Sequence, residues 1–207
     1  MAMGPVTRAE KQVGLFTALY VIGFTLWFFA IGNFEFVIYV VTMLILIGLV
    51  ATSLRKVEYP PKLLWALTLW GLLHMAGGGV PVNGSVLYTL ELIPFVSDGE
   101  MTILKYDQVV HFYGFGVTAW LLWQIMTHTF PVLKGTKTAF ALPALGAMGL
   151  GAVNEIIEFS AVLMVPDTNV GGYINTALDL VFNAAGALFA MGLVTRFNGA
   201  DDGKKAP

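Results

Sequence analysis

The sequence predicts an all-α protein, a polytopic membrane helix bundle with about six transmembrane helices. Of its 207 residues, 57% are hydrophobic and 12% are charged, and the mean hydropathy is +0.77. Soluble domains carry about 25% charged residues, so the composition excludes that class. The apolar stretches are about twenty residues long, as a membrane-crossing helix requires, and they lack the ten-residue alternation of a membrane barrel.

Basic residues, glycines and prolines separate these apolar stretches. The predicted spans are residues 13–31, 34–54, 63–76, 106–126, 139–164 and 173–194. The first span is longer than the apolar core of a signal peptide, so we expect it to be retained in the membrane. Pro60 and Pro61 preset the start of the third span. We expect one transmembrane helical domain over residues 1–197 and a polar cytoplasmic tail over residues 198–207.

The connector between the third and fourth spans covers residues 80–105. Prolines and glycines interrupt it too often for a further span, although residues 86–93 are largely apolar. Irregular backbone is tolerated at membrane depth only where it lies against protein. We therefore predict an external interfacial or re-entrant segment between the third and fourth helices.

The charged residues predict the orientation. With these spans, every Lys and Arg except Lys105 falls on one side of the membrane. By the positive-inside rule, that side is the cytoplasm, and both termini lie there. The expected location is the bacterial inner membrane, with the connector outside.

Polar residues on four helices converge on one depth near the outer surface. Asp107 and His111 are four residues apart at the head of the fourth span, and Glu155 and Glu158 are three apart on the fifth. Each pair therefore shares a helix face. At 1.5 Å per residue, all these groups lie about 5–15 Å below the outer surface. The full set is His74, Asp107, His111, Glu155, Glu158, Asp179 and Asn183.

Small residues continue the same helix faces and let helices approach closely. They are Gly114 and Thr118 on the fourth span, Gly151 on the fifth, and Gly186 and Ala190 on the sixth. The combination predicts a pocket inside the bundle that opens outward.

The pocket carries a charge problem that a bound cation would solve. A charged side chain at mid-membrane costs about 2.5–3.5 kcal/mol, and Lys105 with two histidines cannot neutralise four carboxylates. Without cysteine, a metal must use nitrogen and oxygen ligands, which here suit Zn, Mn or Fe better than Ca. The predicted metal ligands are Asp107, His111, Glu158, Asp179 and Asn183. Carboxylates that share protons are the metal-free alternative.

Simpler interpretations exist for individual residues. His74 could cap the end of its helix, and Asp107 suits a first helical turn, where free backbone N–H groups donate to a carboxylate. Asn183 could bridge helices through hydrogen bonds. The pair Glu155 and Glu158 resists such an explanation, because two unpaired acids within a span bring no structural benefit.

Four short stretches carry a resemblance to a known family. They are Leu-Leu-His-Met-Ala-Gly-Gly at 72–78, Tyr-Asp-Gln-Val-Val-His-Phe at 106–112, Asn-Glu-Ile-Ile-Glu-Phe at 154–159, and the block at 171–180 that contains Asp179. In their order and spacing the chain resembles the YjdF-like group of bacterial inner-membrane proteins, which is distantly similar to VanZ-like proteins. The resemblance implies about six spans and a shared polar pocket, and no activity. Gly172 and Asn175 stand where the family typically has acids, which implies an altered site.

Three functions are compatible with this pocket. The first is a metal-dependent hydrolase or transferase acting on lipid or lipid-linked headgroups, with Glu155 as general base and His74 as a second base or ligand. The second is a non-catalytic accessory or structural subunit of a membrane complex, which the altered acidic block favours. The third is a cation or proton transporter, although the inner halves of the fourth and sixth spans are apolar.

The expected partners are membrane lipids and, for an accessory subunit, other membrane proteins. The sequence has no glycine-rich phosphate fingerprint, no basic face and no histidine pair at haem-like positions. We therefore predict no nucleotide, haem or nucleic acid.

Overall fold

The computed structural model describes residues 6–98, 101–164 and 172–202. Within these ranges the chain forms six α-helices, and all but α3 are long and apolar enough to cross a membrane. They are α1 (Arg8–Ile31), α2 (Phe34–Val57), α3 (Pro61–Gly79), α4 (Tyr106–Thr129), α5 (Lys137–Met164) and α6 (Tyr173–Asp202). The predicted class, an all-α membrane helix bundle, is confirmed. α3 has 19 residues, which at 1.5 Å each still gives about 28 Å.

The first two helices have defined ends. Thr7 forms a capping box with Glu10 at the start of α1, and Gly32 ends that helix with a φ of 68°. The left-handed conformation suits glycine because it has no Cβ. The side chain of Asn33 then accepts the backbone N–H of Phe36 and starts α2. The chain thus reverses direction within two residues.

α3 continues three residues beyond its predicted end at Ala76. Glycines 77–79 stay helical because aromatic rings pack directly onto their backbone. A Cβ on Gly78 would lie 1.9 Å from the ring of Phe36, and a Cβ on Gly77 would lie 2.5 Å from the ring of Tyr88. The predicted end at about Ala76 lies three residues short of the helix end, because consecutive glycines usually end a helix.

The connector forms two small hairpins that the sequence did not predict. β1 (Pro81–Val82) pairs with β2 (Ser85–Val86), a 3-10 turn follows at Leu87–Thr89, and β3 (Glu91–Asp98) pairs with β4 (Met101–Lys105). Pro94 falls where the register of β3 shifts, so its missing N–H removes no regular ladder bond. An interfacial or re-entrant position of this segment stays a prediction.

Gln108 fastens the connector to α4. Its fully buried side chain accepts the N–H groups of Leu104 and Lys105 and donates to the carbonyl of Thr102. Leu104 has a φ of 75°, a conformation that non-glycine residues rarely adopt. These bonds hold β4 in place where it enters the helix that carries Asp107 and His111.

α4 carries Asp107 and His111 and packs against three other helices, α3, α5 and α6, so it is the central helix of this half of the bundle. The backbone of Gly186 on α6 approaches Phe112 so closely that a Cβ there would lie 1.9 Å from the Phe112 carbonyl oxygen. The predicted role of Gly186 in close helix approach is therefore confirmed. Beyond this contact, towards the end of the bundle that carries Lys134 and Arg196 (the basic end), an apolar cluster fills the space between α4, α5 and α6. Its buried members are Ala119, Trp123, Ala139, Ala144, Ala147, Ala187 and Met191.

α6 runs past the predicted tail boundary at residue 198 and ends at Asp202. Its membrane-length part ends at Arg196. The expectation of a polar tail concerns residues 198–207, of which 203–207 lie outside the described residues.

Candidate functional site

The site is centred on His111, one turn into α4. This imidazole is 6% exposed and lies among acids from three helices. Its Nε2 is 3.4 Å from Asp107 Oδ1 and 4.0 Å from Glu158 Oε1, and its Nδ1 is 3.6 Å from Glu155 Oε1. The predicted convergence of the fourth and fifth helices on one pocket is thus present in the structure.

Asn183 on α6 sets the orientation of the imidazole. His111 Nδ1 lies 3.0 Å from Asn183 Oδ1, so an N–H at Nδ1 donates to this oxygen. In a neutral imidazole only one ring nitrogen carries a proton, which leaves a lone pair on Nε2. That lone pair faces the carboxylates of Asp107 and Glu158. Three electron-rich groups in one place repel unless a proton or a metal ion lies between them.

Asp179 and Asn175 complete the α6 side of the site. Asn175 Nδ2 donates to Asp179 Oδ2 at 2.6 Å and lies 3.4 Å from Asp107 Oδ2. One amide therefore holds two carboxylates from different helices. Asp179 is fully buried, and its Oδ1 has no hydrogen-bond partner among the described residues.

The two glutamates of α5 have different surroundings. Glu158 Oε1 accepts a hydrogen bond from Asn154 Nδ2 at 2.7 Å. Neither carboxylate oxygen of Glu155 has a hydrogen-bond partner in the described part of the chain, although the side chain is only 6% exposed. A buried carboxylate without hydrogen bonds costs free energy in its charged form, and the contact with His111 at 3.6 Å is its only ion pair in the described part of the chain, so Glu155 favours a ligand or a proton.

The acids outnumber the cations in the site. Asp107, Glu155, Glu158 and Asp179 are all buried; in residues 6–98, 101–164 and 172–202 His111 is the only ion-pair partner of the first three, and Asp179 has none. Lys105, which the sequence placed in reach, is half-buried and forms no salt bridge within the same ranges.

Two overlapping groups of side chains could hold a metal ion. Asp107, His111 and Asp179 form one, and His111, Glu155 and Glu158 form the other; in each, one ligand atom per residue lies within 4.8 Å of the others. The donors are imidazole nitrogen and carboxylate oxygen; Asp107, His111, Glu158 and Asp179 are predicted ligands, whereas Glu155 was predicted as the general base. The predicted ligand Asn183 lies beside both groups, with its oxygen directed at His111.

His74 lies in an aromatic box at the end of α3. Its Nδ1 is hydrogen-bonded to the hydroxyl of Tyr88, and its ring contacts Phe36 and Tyr39. Burial and the nearby carboxylate of Asp107 raise the pKa of Tyr88 well above its usual range, so the hydroxyl stays protonated and can donate to His74. His74 makes no hydrogen bond or ion pair with the His111 group among the described residues, and its predicted role as a base or ligand stays a prediction.

Four polar residues of this region were absent from the predicted site. Asn154 was overlooked because it directly precedes Glu155, which drew the attention as a membrane-embedded acid. Tyr88 lies in a connector whose path could not be predicted. Glu35, in the first turn of α2, is 2% exposed. An acid in the first turn of a helix ordinarily interacts with the helix dipole, so only its burial distinguishes Glu35 from a capping residue. For Asn175, the four-residue spacing to Asp179 was the available signal.

Gly151 supports the site by making room for Asn183. A Cβ at position 151 would lie 2.7 Å from Asn183 Nδ2, too close for a real contact. The glycine on α5 thus lets the amide on α6 reach His111.

Comparison with known proteins assigns the chain to a family. Residues 13–200 match the family model described as "Predicted membrane protein (DUF2238)". The chain belongs to this family, which is the YjdF-like family of the sequence resemblance. The match covers α2 to α5 in full, most of α1 and α6, and every residue of the site.

A relative and the solved structures add little about activity. The chain is 30% identical over 95 residues to an uncharacterized protein of Thermotoga maritima, an alignment covering 45% of this chain and 50% of the relative. The matched part thus spans about half the length of that relative. No solved structure matches the chain.

Proposed function

We propose that this protein binds a divalent metal ion at the His111 group and uses it for hydrolysis or group transfer on lipid or lipid-linked headgroups. The observation that carries the proposal is a buried imidazole within 4.0 Å of three carboxylates, in a site with unpartnered carboxylate oxygens. Buried ionisable groups within membrane spans usually mark a function.

The donor set supports a metal better than a network of shared protons. Asn183 fixes the proton of His111 on Nδ1 and leaves Nε2 free to bind, and a histidine ligand typically has such a partner on its second nitrogen. Asp107 and Glu158 flank Nε2, and Asp179 is held beside Asp107 by Asn175. A mixture of imidazole and carboxylate suits Zn, Mn or Fe. In this proposal Asn183 orients the ligand His111.

Glu155 is the proposed general base. It lies 3.6 Å from His111 but accepts no hydrogen bond in the described residues, so its oxygens are free to take a proton from water. A bound divalent ion would polarise a substrate oxygen or activate water at this position. The remaining carboxylates, Asp107, Glu158 and Asp179, are the proposed metal ligands. His74, which is hydrogen-bonded to Tyr88, is the proposed second base.

The packing of the inner half argues against transport. The apolar cluster around Ala147, Trp123 and Met191 fills the space between α4, α5 and α6 towards the basic end. A path for an ion would need polar groups there.

The proposed location is the bacterial inner membrane, with the site near the outer surface and both termini in the cytoplasm. Arg8, Arg55 and Lys62 lie at helix ends opposite the site, Lys134 lies in the turn between α4 and α5 on that side, and Arg196 lies in the last part of α6. The positive-inside rule places that end in the cytoplasm. The substrate headgroup would then come from the outer leaflet.

Metal content and headgroup release test the proposal together. Purified wild type should contain Zn, Mn or Fe in stoichiometric amount, and Glu155→Gln/Glu158→Gln should contain none. Glu91→Gln, an exposed acid of the connector, is the matched control and should keep the metal. Wild type should also release headgroups from phospholipid vesicles, and Glu155→Gln alone should not.

The accessory role is the second candidate. Asn175 favours it, because an amide that binds Asp107 and Asp179 makes part of the site a structural network. Metal-loaded wild type that leaves every headgroup intact supports this role and contradicts the enzyme.

A further inference from the structure

A second space lies in the other half of the bundle, away from the His111 group. It is a cleft of about 460 Å³ between α1, α2 and α3, and it reaches from Glu10 near the start of α1 to Trp70 and Gly71 on α3. Trp70 contacts Phe115, which contacts His111, so this aromatic pair separates the cleft from the polar site.

The walls of the cleft are almost entirely apolar. Val13, Met43, Ile47, Val50 and Leu67 are typical of its lining. α1 packs closely against α3 but only lightly against α2, which leaves the cleft open along the bundle. Protein interiors are close-packed, and an open space between helices loses dispersion contacts. Within a membrane the material available to fill it is hydrocarbon.

The mouth of the cleft is basic. Arg55 at the end of α2 binds Glu10 in a two-point contact, with Nη2–Oε2 at 3.0 Å and Nη1–Oε1 at 3.4 Å. These two bonds use only part of the five N–H donors of a guanidinium. The pair lies partly open, with 24% of the Arg55 side chain exposed. The basic residues on the adjoining turns of α1 and α2 are Arg8, Lys11 and Lys56.

We propose that this cleft binds an acyl chain of an anionic phospholipid, with the lipid phosphate against Arg55. The apolar walls match the chain, and the excess of basic over acidic side chains at the mouth matches an anionic headgroup. The arginine provides planar donors suited to phosphate oxygens. This lipid site is independent of the proposed metal site and of its reaction.

Two substitutions on one face of α1 test the cleft. Gly14 and Ala18 line it four residues apart, and a Cβ at Gly14 meets no atom within 4 Å. Gly14→Phe should therefore fill the cleft without disturbing the helices, and Ala18→Phe is a second variant of the same kind. Gly48→Phe on α2 is the matched control, because Gly48 is equally open and does not line the cleft.

Native mass spectrometry of the full chain in detergent gives the measurement, with phosphatidylglycerol and phosphatidylcholine as probes. Wild type and Gly48→Phe should retain one phosphatidylglycerol and prefer it to phosphatidylcholine, whereas Gly14→Phe and Ala18→Phe should lose it. Arg55→Gln, which removes one basic residue from the mouth, should reduce the preference about fivefold, equivalent to about 1 kcal/mol.

The opposite results overturn the proposal. They are retention by both cleft variants, equal loss by Gly48→Phe, or a wild type that binds both lipids equally. Variants that elute from size exclusion and melt as wild type does show that the fold is intact.

Discussion

At the scale of single residues, the site depends on the state of one imidazole. His111 contacts three acids and one amide, and the amide decides which nitrogen is free. The acids alone could be neutralised by protons. An oriented Nε2 between Asp107 and Glu158 is the feature that favours a metal.

The role of Asn183 gives the first prediction. Asn183→Ala removes the acceptor for Nδ1–H, so the imidazole loses its fixed tautomer, and metal affinity should fall about 10–100-fold. Competition with a chelator of known affinity measures this change. Gln124→Ala removes an exposed amide from the far end of α4 and should leave the affinity unaltered. Unchanged affinity in Asn183→Ala would remove the argument for a fixed tautomer.

Two glycines of α5 give a matched pair for the second prediction. A Cβ at Gly151 lies 2.7 Å from Asn183 Nδ2, whereas a Cβ at Gly149 meets nothing within 4 Å. Gly151→Ala should displace the amide and weaken metal binding in the same chelator competition. Gly149→Ala should have no effect. Equal affinities in the two variants would show that the position of Asn183 is unimportant.

At the scale of elements, the sequence predicted which residues share a helix face better than it predicted the path of the connector between α3 and α4. The four-residue spacing of Asp107 and His111 and the three-residue spacing of Glu155 and Glu158 fix their shared faces in any helix. The alternation of helix direction then brings these faces to the same end. The hairpins at Pro81–Val86 and Glu91–Lys105 are local pairings of short strands, and the prolines and glycines within the connector concealed the strand pattern.

The third prediction concerns the contact between α4 and α6. A Cβ at Gly186 would lie 1.9 Å from the backbone oxygen of Phe112, and backbone cannot move aside as a flexible side chain can. Gly186→Ala should lower the free energy of unfolding by about 1–3 kcal/mol. Gly192→Ala is the control, because Gly192 lies further along the same helix and a Cβ there would meet no atom within 4 Å. Unfolding in mixed detergent compares them, and equal stability would mean that the helices separate without cost.

At the scale of the whole molecule, charge distribution predicted which helix ends share a side. The six helices alternate, so the ends of α1, α3 and α5 meet the starts of α2, α4 and α6 at the site. Contacts between distant ends confirm this: Trp27 donates to the carbonyl of Gly79 there, and Arg55 pairs with Glu10 at the basic end. The aromatic box of His74 could not be predicted, because its partner Tyr88 comes from the connector.

The fourth prediction concerns orientation in the membrane. The chain has no cysteine, so single cysteines can report on each side. Ser85→Cys in the connector should react with a membrane-impermeant maleimide in intact cells, and Lys134→Cys between α4 and α5 should react only after lysis. Both positions are exposed. The reverse pattern would move the site to the cytoplasmic leaflet.

The most direct test of the metal proposal is thermal unfolding with and without a chelator. A bound ion stabilises the folded state, by about 2.7 kcal/mol at a hundred times its dissociation constant, and its removal leaves four buried acids to repel one another. Chelation should therefore lower the melting temperature of wild type and of Glu91→Gln, and added metal should restore it. The melting of Glu155→Gln/Glu158→Gln should not respond to the chelator. A metal-free wild type whose melting ignores the chelator, beside a double variant of equal or greater stability, would contradict the account and identify the acids as a protonated network.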